Sequence, residues 1–517
     1  MQTVSIGLVI GIVFPPFLTA FASLSGKSQS QRSSLLTFLA SVISFCCSLA
    51  LLLNFPKNGH YHLNFSVLFI NIFIDALSVY FIFLINIVAL FASYFTKFIM
   101  ANDIEAQSEK EHWPNSLRLF HLEFNLFHCS MLLVPLVDNL LFLWVLIAFT
   151  TVISAPLIGY HRDRRAQEAA WKYIMISSSG IVFALLGTIF LLTVLKQNVD
   201  WSKIIHYLNQ KNVVQGDLQG VVKIAFLLIL LGYGTKAGLF PMHTWLPDGH
   251  GEAPSPVSAL LSGVLLKCAL YVILRFYVIT NLALNEHDFA SNMLLIFGLF
   301  SLLMATPFIL NMKKENRFKR VLAYHSLEHM GIITFGFGLG IQVAFFGALY
   351  QALNHALTKA LMFLAYGRVQ ETHANMGIPD EKIRGVFKIM PVTGCLLVLG
   401  GLALVGSPPF SIFFSEFTIL FAAIQRVATN PLGIGVMIAA ICAFLISIAL
   451  IFAGLVTHLG RMMLGKSPIH AGKVREQSIP LLLLGILLVV LIWGGFTTNP
   501  LTNILQQSAN IVYTGGF

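Results

Sequence analysis

Fourteen apolar stretches, each long enough to cross a bilayer as a helix, recur along the 517 residues between charged or Pro/Gly-rich loops. They cover 4–24, 35–54, 68–96, 117–137, 139–159, 172–195, 220–245, 255–277, 291–311, 320–340, 342–366, 389–424, 432–456 and 479–497. One crossing of the hydrocarbon core takes about 20 helical residues. Only 10% of the residues are charged and 57% are hydrophobic, whereas a soluble domain carries about 25% charge. Such a chain cannot cover a surface facing water, and the expected class is an all-α polytopic membrane protein with about fourteen transmembrane helices.

The first stretch contains Pro15 and Pro16 and has no Lys or Arg before it. A secretory signal wants a positive leading region, so this reads as a retained helix. The six cysteines lie within or beside apolar runs and show no C-x-x-C spacing. Neither a zinc site nor a disulfide framework is expected, and no nucleotide or phosphate-binding motif appears in a suitable loop. No cofactor or metal is therefore expected in this chain.

Threading fourteen spans puts 22 Lys and Arg on one face and six on the other, the densest clusters being HRDRR at 161–165 and KKENRFKR at 313–320. Positive loops stay in the cytoplasm, which places both termini on the periplasmic side of a bacterial inner membrane. The net charge of +10 thus belongs to topology, and no nucleic-acid partner is expected.

Four basic residues remain, Lys236, Lys267, Arg275 and Lys359, all inside or at the end of a span. At bilayer depth a basic group costs roughly 2.5–3.5 kcal/mol and usually faces a polar interior or an ion pathway. Arg275 closes span 8 and is expected to snorkel to the interface.

Two spans are interrupted. The seventh reads LLGYGTKAGLFPMHTWLPD, with Gly and Pro around Lys236; the twelfth reads GSPPFSIFFSEF at 406–417, ahead of Glu416. Broken helices at membrane depth leave backbone groups that protein or water must satisfy, so they tend to line cavities. Breaks five spans apart predict two repeated five-helix units, 117–277 and 291–456, flanked by helices 1–3 at 1–116 and a C-terminal loop and helix at 457–517.

Between the breaks lies a titratable series: Lys267, then His325, Glu328 and His329, then His355 and Lys359. His325 and His329 share one helical face, as do His355 and Lys359. Burial disfavours the charged form of any ionisable group, and histidine already titrates near neutrality, so Lys236, Lys267, His329, His355 and Glu416 have the chemistry a lateral proton route needs. His325, Glu328 and Lys359 are auxiliary candidates. HSLEH at 325–329 also fits the H-x-x-E-H zinc pattern, but it sits in an apolar span without a further ligand or an opening to substrate.

GTKAGLFPMHTWLPDGHGEAPSPVSALLSGVLLKCALYVILRF (234–276), AYHSLEHMG (323–331), LNHALTKALMFLAYG (353–367) and GSPPFSIFFSEF together resemble the antiporter-like membrane subunits of respiratory complex I, Mrp antiporters and membrane-bound hydrogenases. FHLEFNLFHCSMLL (120–133), TTVISAPLIGYHRDRRAQEAAWKY (150–173) and IRGVFKIMPVTG (383–394) are most similar to the hydrogenase and formate hydrogenlyase branch. The likeness covers roughly 65–425. It implies a fourteen-helix core with inverted five-helix repeats and half-channels meeting at the membrane centre, Lys236 and Lys267 as the span-7 and span-8 lysines, His329 and His355 as connecting histidines, and Glu416 as the terminal acid.

One position departs from that pattern. The family's span-5 glutamate, which pairs with the span-7 lysine, is replaced by Ala148 in WVLIAFTT (144–151). Asp138 lies ten residues earlier, about 15 Å along a helix, and Glu123 is on another span. Another subunit supplies the carboxylate, or the first half-channel works differently or is closed.

Three functions follow from these observations. The first is a proton-translocating subunit of a larger energy-converting complex, its partners a [NiFe] hydrogenase or iron–sulfur subunit. The second is the membrane subunit of an inorganic-carbon uptake complex driven by proton flow, with a zinc carbonic-anhydrase-like partner. The third is an inactive scaffold, for which Ala148 speaks. The same acids could hold sodium in place of protons.

Overall fold

The computed structural model describes residues 2–24, 30–56, 59–65, 70–107, 114–195, 199–210, 213–311, 317–427, 433–466 and 474–516. They fold almost wholly into helices, ten of which are long and apolar enough to cross a membrane. The outward faces carry large apolar side chains such as Val152, Trp171, Val182, Leu482 and Trp493. In lipid such exposure costs nothing, and polar groups turn inward instead. At the centre, the 255–284 segment is buried at every position but Leu282.

Both expected interruptions are present. The helix Leu218–Ala237 ends at Gly238 (φ +73°) and the chain resumes as Trp245–Glu252. Pro391–Leu404 gives way to Ser411–Arg426 through Gly406 (φ +65°). Positive φ is open to glycine at no steric cost, which lets each helix stop abruptly in the bundle.

Other boundaries differ. The third apolar stretch reads as helical from 68, but Ile70–Ile74 is a strand, paired antiparallel with Tyr61–Phe65 so that Tyr61 faces Ile74. The helix runs only from Ala76 to Gln107. A run of INIFI satisfies a half-buried strand as well as a helix start, and apolar content alone does not separate them. Trp201–Asn209 and Thr502–Thr514 add short amphipathic helices outside every expected span. Lys313 and Lys314 of the second basic cluster lie outside the described residues.

Arg275 does not snorkel. It is 2% exposed, and its guanidinium forks onto Asp75 with N–O distances of 2.6 and 2.8 Å. Nη2 also donates to Tyr271 (2.8 Å) and Ser78 (3.1 Å), and the charge lies 4.1 Å from the Trp201 ring centroid. The Trp201 indole N–H returns a bond to the Arg275 carbonyl at 3.1 Å. A two-pronged carboxylate satisfies the planar donor fork better than the interface does. The pair ties the central helix to the start of Ala76–Gln107 and to the Trp201 helix.

Removing one partner strands the other charge, a loss of about 3–5 kcal/mol. Asp75→Ala should therefore lower the thermal unfolding midpoint of the solubilised protein sharply. The double variant Asp75→Leu/Arg275→Met should recover most of it, and a double variant no better than the single one would refute the charge argument.

Candidate functional site

Four of the five principal candidates are brought together. Lys267, on the helix Leu266–Leu284, follows a wide π-helical turn at Leu261–Leu265. A π turn loosens the regular ladder, and here Lys267 Nζ donates to the Ser262 carbonyl (2.7 Å) and meets His355 Nδ1 at 2.5 Å. His355 belongs to the long helix Gln342–Asn375, and its ring centroid lies 4.7 Å from that of His329 on Phe318–Gly338.

The broken twelfth span completes the line. His329 Nε2 donates to the Leu404 carbonyl at 2.9 Å, one of the terminal carbonyls that a helix end leaves without an internal partner. This fixes the Nε2–H tautomer and leaves Nδ1 to accept. The Gln351 amide supplies that donor at 3.0 Å and also reaches Glu416 Oε1 at 3.1 Å. Glu416 Oε1 itself lies 3.9 Å from His329 Nδ1. The Gln351 carbonyl oxygen accepts from Ser415. Lys267, His355, His329, Gln351 and Glu416 thus form one buried file crossing several helices.

Lys236 stands apart. It is wholly buried at the end of its helix, where Nζ donates to the hydroxyls of Thr151 (2.6 Å) and Tyr173. Its charge lies 4.6 Å from the Tyr173 ring centroid, and Tyr173 is bonded in turn to Ser154 at 2.7 Å. Among the described residues no carboxylate forms an ion pair with Lys236, and no hydrogen bond joins it to Lys267. Two hydroxyls and an aromatic face surround the Lys236 ammonium. Ala148, one turn before Thr151, lines a cleft of about 690 Å³ together with Glu123, Trp144 and Trp171.

The auxiliary candidates divide. His325 Nδ1 meets Glu328 Oε2 at 2.6 Å, and Lys359 donates to the Leu322 carbonyl. The ligand atoms of His325, Glu328 and His329 lie within 4.8 Å of one another. Asp138 is engaged elsewhere: it accepts from the Ser202 amide (2.9 Å) and hydroxyl (2.5 Å) and lies 3.8 Å from His62. It anchors the Trp201 helix and does not serve Lys236.

Sequence reasoning missed Gln351, Tyr173 and Thr151. Gln351 carried a signal, being four residues before His355 and so on the same helical face. Tyr173 carried none, since nothing local distinguishes it from a packing aromatic.

Glu416 is held close against the break: a Cβ at Gly406 would collide with Glu416 Oε2. Gly406→Ala, strained in addition by its positive φ, should displace the carboxylate and reduce ion flux in proteoliposomes as severely as Glu416→Gln. Wild-type flux in Gly406→Ala would show that this placement is immaterial.

Comparison with known proteins gives concordant matches. Residues 137–447 match the family described as NADH:quinone oxidoreductase/Mrp antiporter, transmembrane. The chain is 34% identical over 478 residues to a hydrogenase-4 component F homolog of Methylacidiphilum infernorum, covering 91% of each. It is 29% identical over 469 residues to a Na(+)/H(+) antiporter subunit of Alkalihalophilus pseudofirmus, covering 85% of this chain and 54% of that one. In structure it is similar to a chain of the membrane-bound sulfane sulfur reductase, an archaeal respiratory membrane complex, with a TM-score of 0.82 at 21% identity over 99% and 98% of the two chains.

Proposed function

The chain belongs to the NADH:quinone oxidoreductase/Mrp antiporter family of multi-pass membrane proteins, and from that premise we propose that it translocates protons as one subunit of a larger energy-converting membrane complex. The observation that carries this reading is the buried file from Lys267 through His355, His329 and Gln351 to Glu416. Each member is a group that gains and loses a proton, or an amide that holds two such groups in register. A proton passing along it needs displacements of one side chain at a time.

Lys236 serves as a separate station in the first half, its ammonium solvated by Thr151 and Tyr173 in place of the family's glutamate. The cleft beside Ala148 is where a partner's carboxylate, or water, would reach it. Lys267 connects the two five-helix units, 117–277 and 291–456, and Glu416 exchanges with one aqueous face. Both termini lie on the periplasmic side of the inner membrane, in accord with the 22-to-six division of Lys and Arg. The driving reaction belongs to a partner, and the hydrogenase component named among the relatives favours a redox partner over the inorganic-carbon alternative.

Lys236→Ala and Glu416→Ala should each bring proton-coupled activity of the assembled complex to background while leaving the subunit in the membrane. Unchanged activity in both would remove these residues from the route. Ala148→Glu should place a carboxylate one turn from Thr151, pair Lys236, and alter the pH dependence of transport; an unaltered profile would argue that this helix face does not serve Lys236.

A further inference from the structure

Outside the central file a second buried polar seam runs between the helices Ser30–Leu53, Ala76–Gln107 and Pro114–Leu133. His121, Asn125 and His128 fall at i, i+4 and i+7 on the last of these, a single stripe, and all are 0% exposed. His121 meets Ser34 Oγ at 3.1 Å and Thr37 Oγ1 at 3.3 Å. The Asn125 amide donates to Thr37 Oγ1 (2.8 Å) and to the His121 carbonyl (2.7 Å). One turn further along, His128 Nε2 meets Asn86 Oδ1 at 3.1 Å.

The donor and acceptor inventory fixes what is missing. Asn86 Nδ2 donates to the Ile82 carbonyl at 3.1 Å, so its Oδ1 accepts, and His128 must carry its proton on Nε2. His128 Nδ1 is then a bare lone pair, and it has no partner among the described residues. Asn125 uses its amide hydrogens on Thr37 and His121, and its Oδ1 is equally without a partner there. Ser41, one turn beyond Thr37 on the facing helix, has a buried hydroxyl in the same condition. Two orphaned acceptors one turn apart on a single face, wholly shielded from solvent by protein, call for a donor with two hydrogens, because buried polar atoms are otherwise paired.

We propose that this seam is a hydrated proton-exchange site, distinct from the Lys267–Glu416 file, in which water bridges Asn125 Oδ1 and His128 Nδ1. A hydronium reaching the bridging position gives its proton to His128 Nδ1 and remains as water, and the reverse step restores the neutral ring, with the Nε2–H held on Asn86 throughout. While His128 is cationic, its new N–H donates to the bridging water, whose own hydrogen stays on the Asn125 oxygen. The seam begins beside Arg32 and Arg118, at the ends of its helices that carry the loop charge. Glu123, which lines the cleft beside Ala148, takes no part.

The site is tested by water-edited 15N NMR of histidine-labelled protein in lipid, with the His128 signals identified by their loss in His128→Gln. The expected result is strong polarisation transfer from water to His128 and a spectrum of the Nε2–H tautomer. Asn125→Leu, which removes the second acceptor and leaves the ring in place, should remove most of that transfer. His128 signals as dry as the packed backbone of Phe124 and Phe127, both 0% exposed on the same helix, would overturn the proposal, as would an Nδ1–H tautomer. The outcome is independent of transport: Lys236→Ala and Glu416→Ala should leave the His128 signals unchanged.

Discussion

A charge inside a lipid-embedded bundle has to be solvated by the chain that carries it, and this requirement organises the molecule. Three of the buried basic groups answer it differently. Arg275 takes a forked carboxylate and two aromatic faces; Lys236 takes two hydroxyls and a ring; Lys267 takes a carbonyl and an imidazole. The rigid solution is the one in which proton loss is out of reach, since a guanidinium stays protonated in proteins. The two lysines have neutral partners that tolerate either protonation state. The clamped arginine and the two lysines thus differ in the kind of solvation they receive.

Backbone breaks complete the arrangement. Leu404, ending one half-helix, offers its carbonyl to His329, and Gly406 leaves room for the Glu416 carboxylate. The irregular segments supply what regular helices withhold, free carbonyls and close approach, beside the buried imidazole and carboxylate. The same geometry explains why Glu416 and His329, on different helices and far apart in sequence, meet across a single amide.

Much of this was legible in the sequence because the bilayer imposes strong local rules. Long apolar runs marked an all-helical membrane chain, Gly and Pro marked both breaks, and the spacing of His325 with His329 and of His355 with Lys359 placed them on shared faces. What escaped was non-local or ambiguous in period. Asp75 and Arg275 are 200 positions apart, and neither residue's neighbours announce the other. Ile70–Ile74 hid within an apolar run that equally begins a helix. The hydroxyls around Lys236 come from two other helices, and only the folded bundle brings Thr151 and Tyr173 to its ammonium.

The π turn at Leu261–Leu265 has a geometric consequence for the central helix. A wide turn accommodates one residue more than a regular one, so everything after it is rotated relative to a straight continuation by about 100°. Lys267 and Arg275 both lie downstream. The insertion works as a rotational offset that aims one cation at the imidazole file and the other at its carboxylate clamp, while the upstream half keeps its own packing. Ironing the segment into a regular α-helix would swing both charges off target together, coupling the imidazole file to the structural anchor through a single residue of slack.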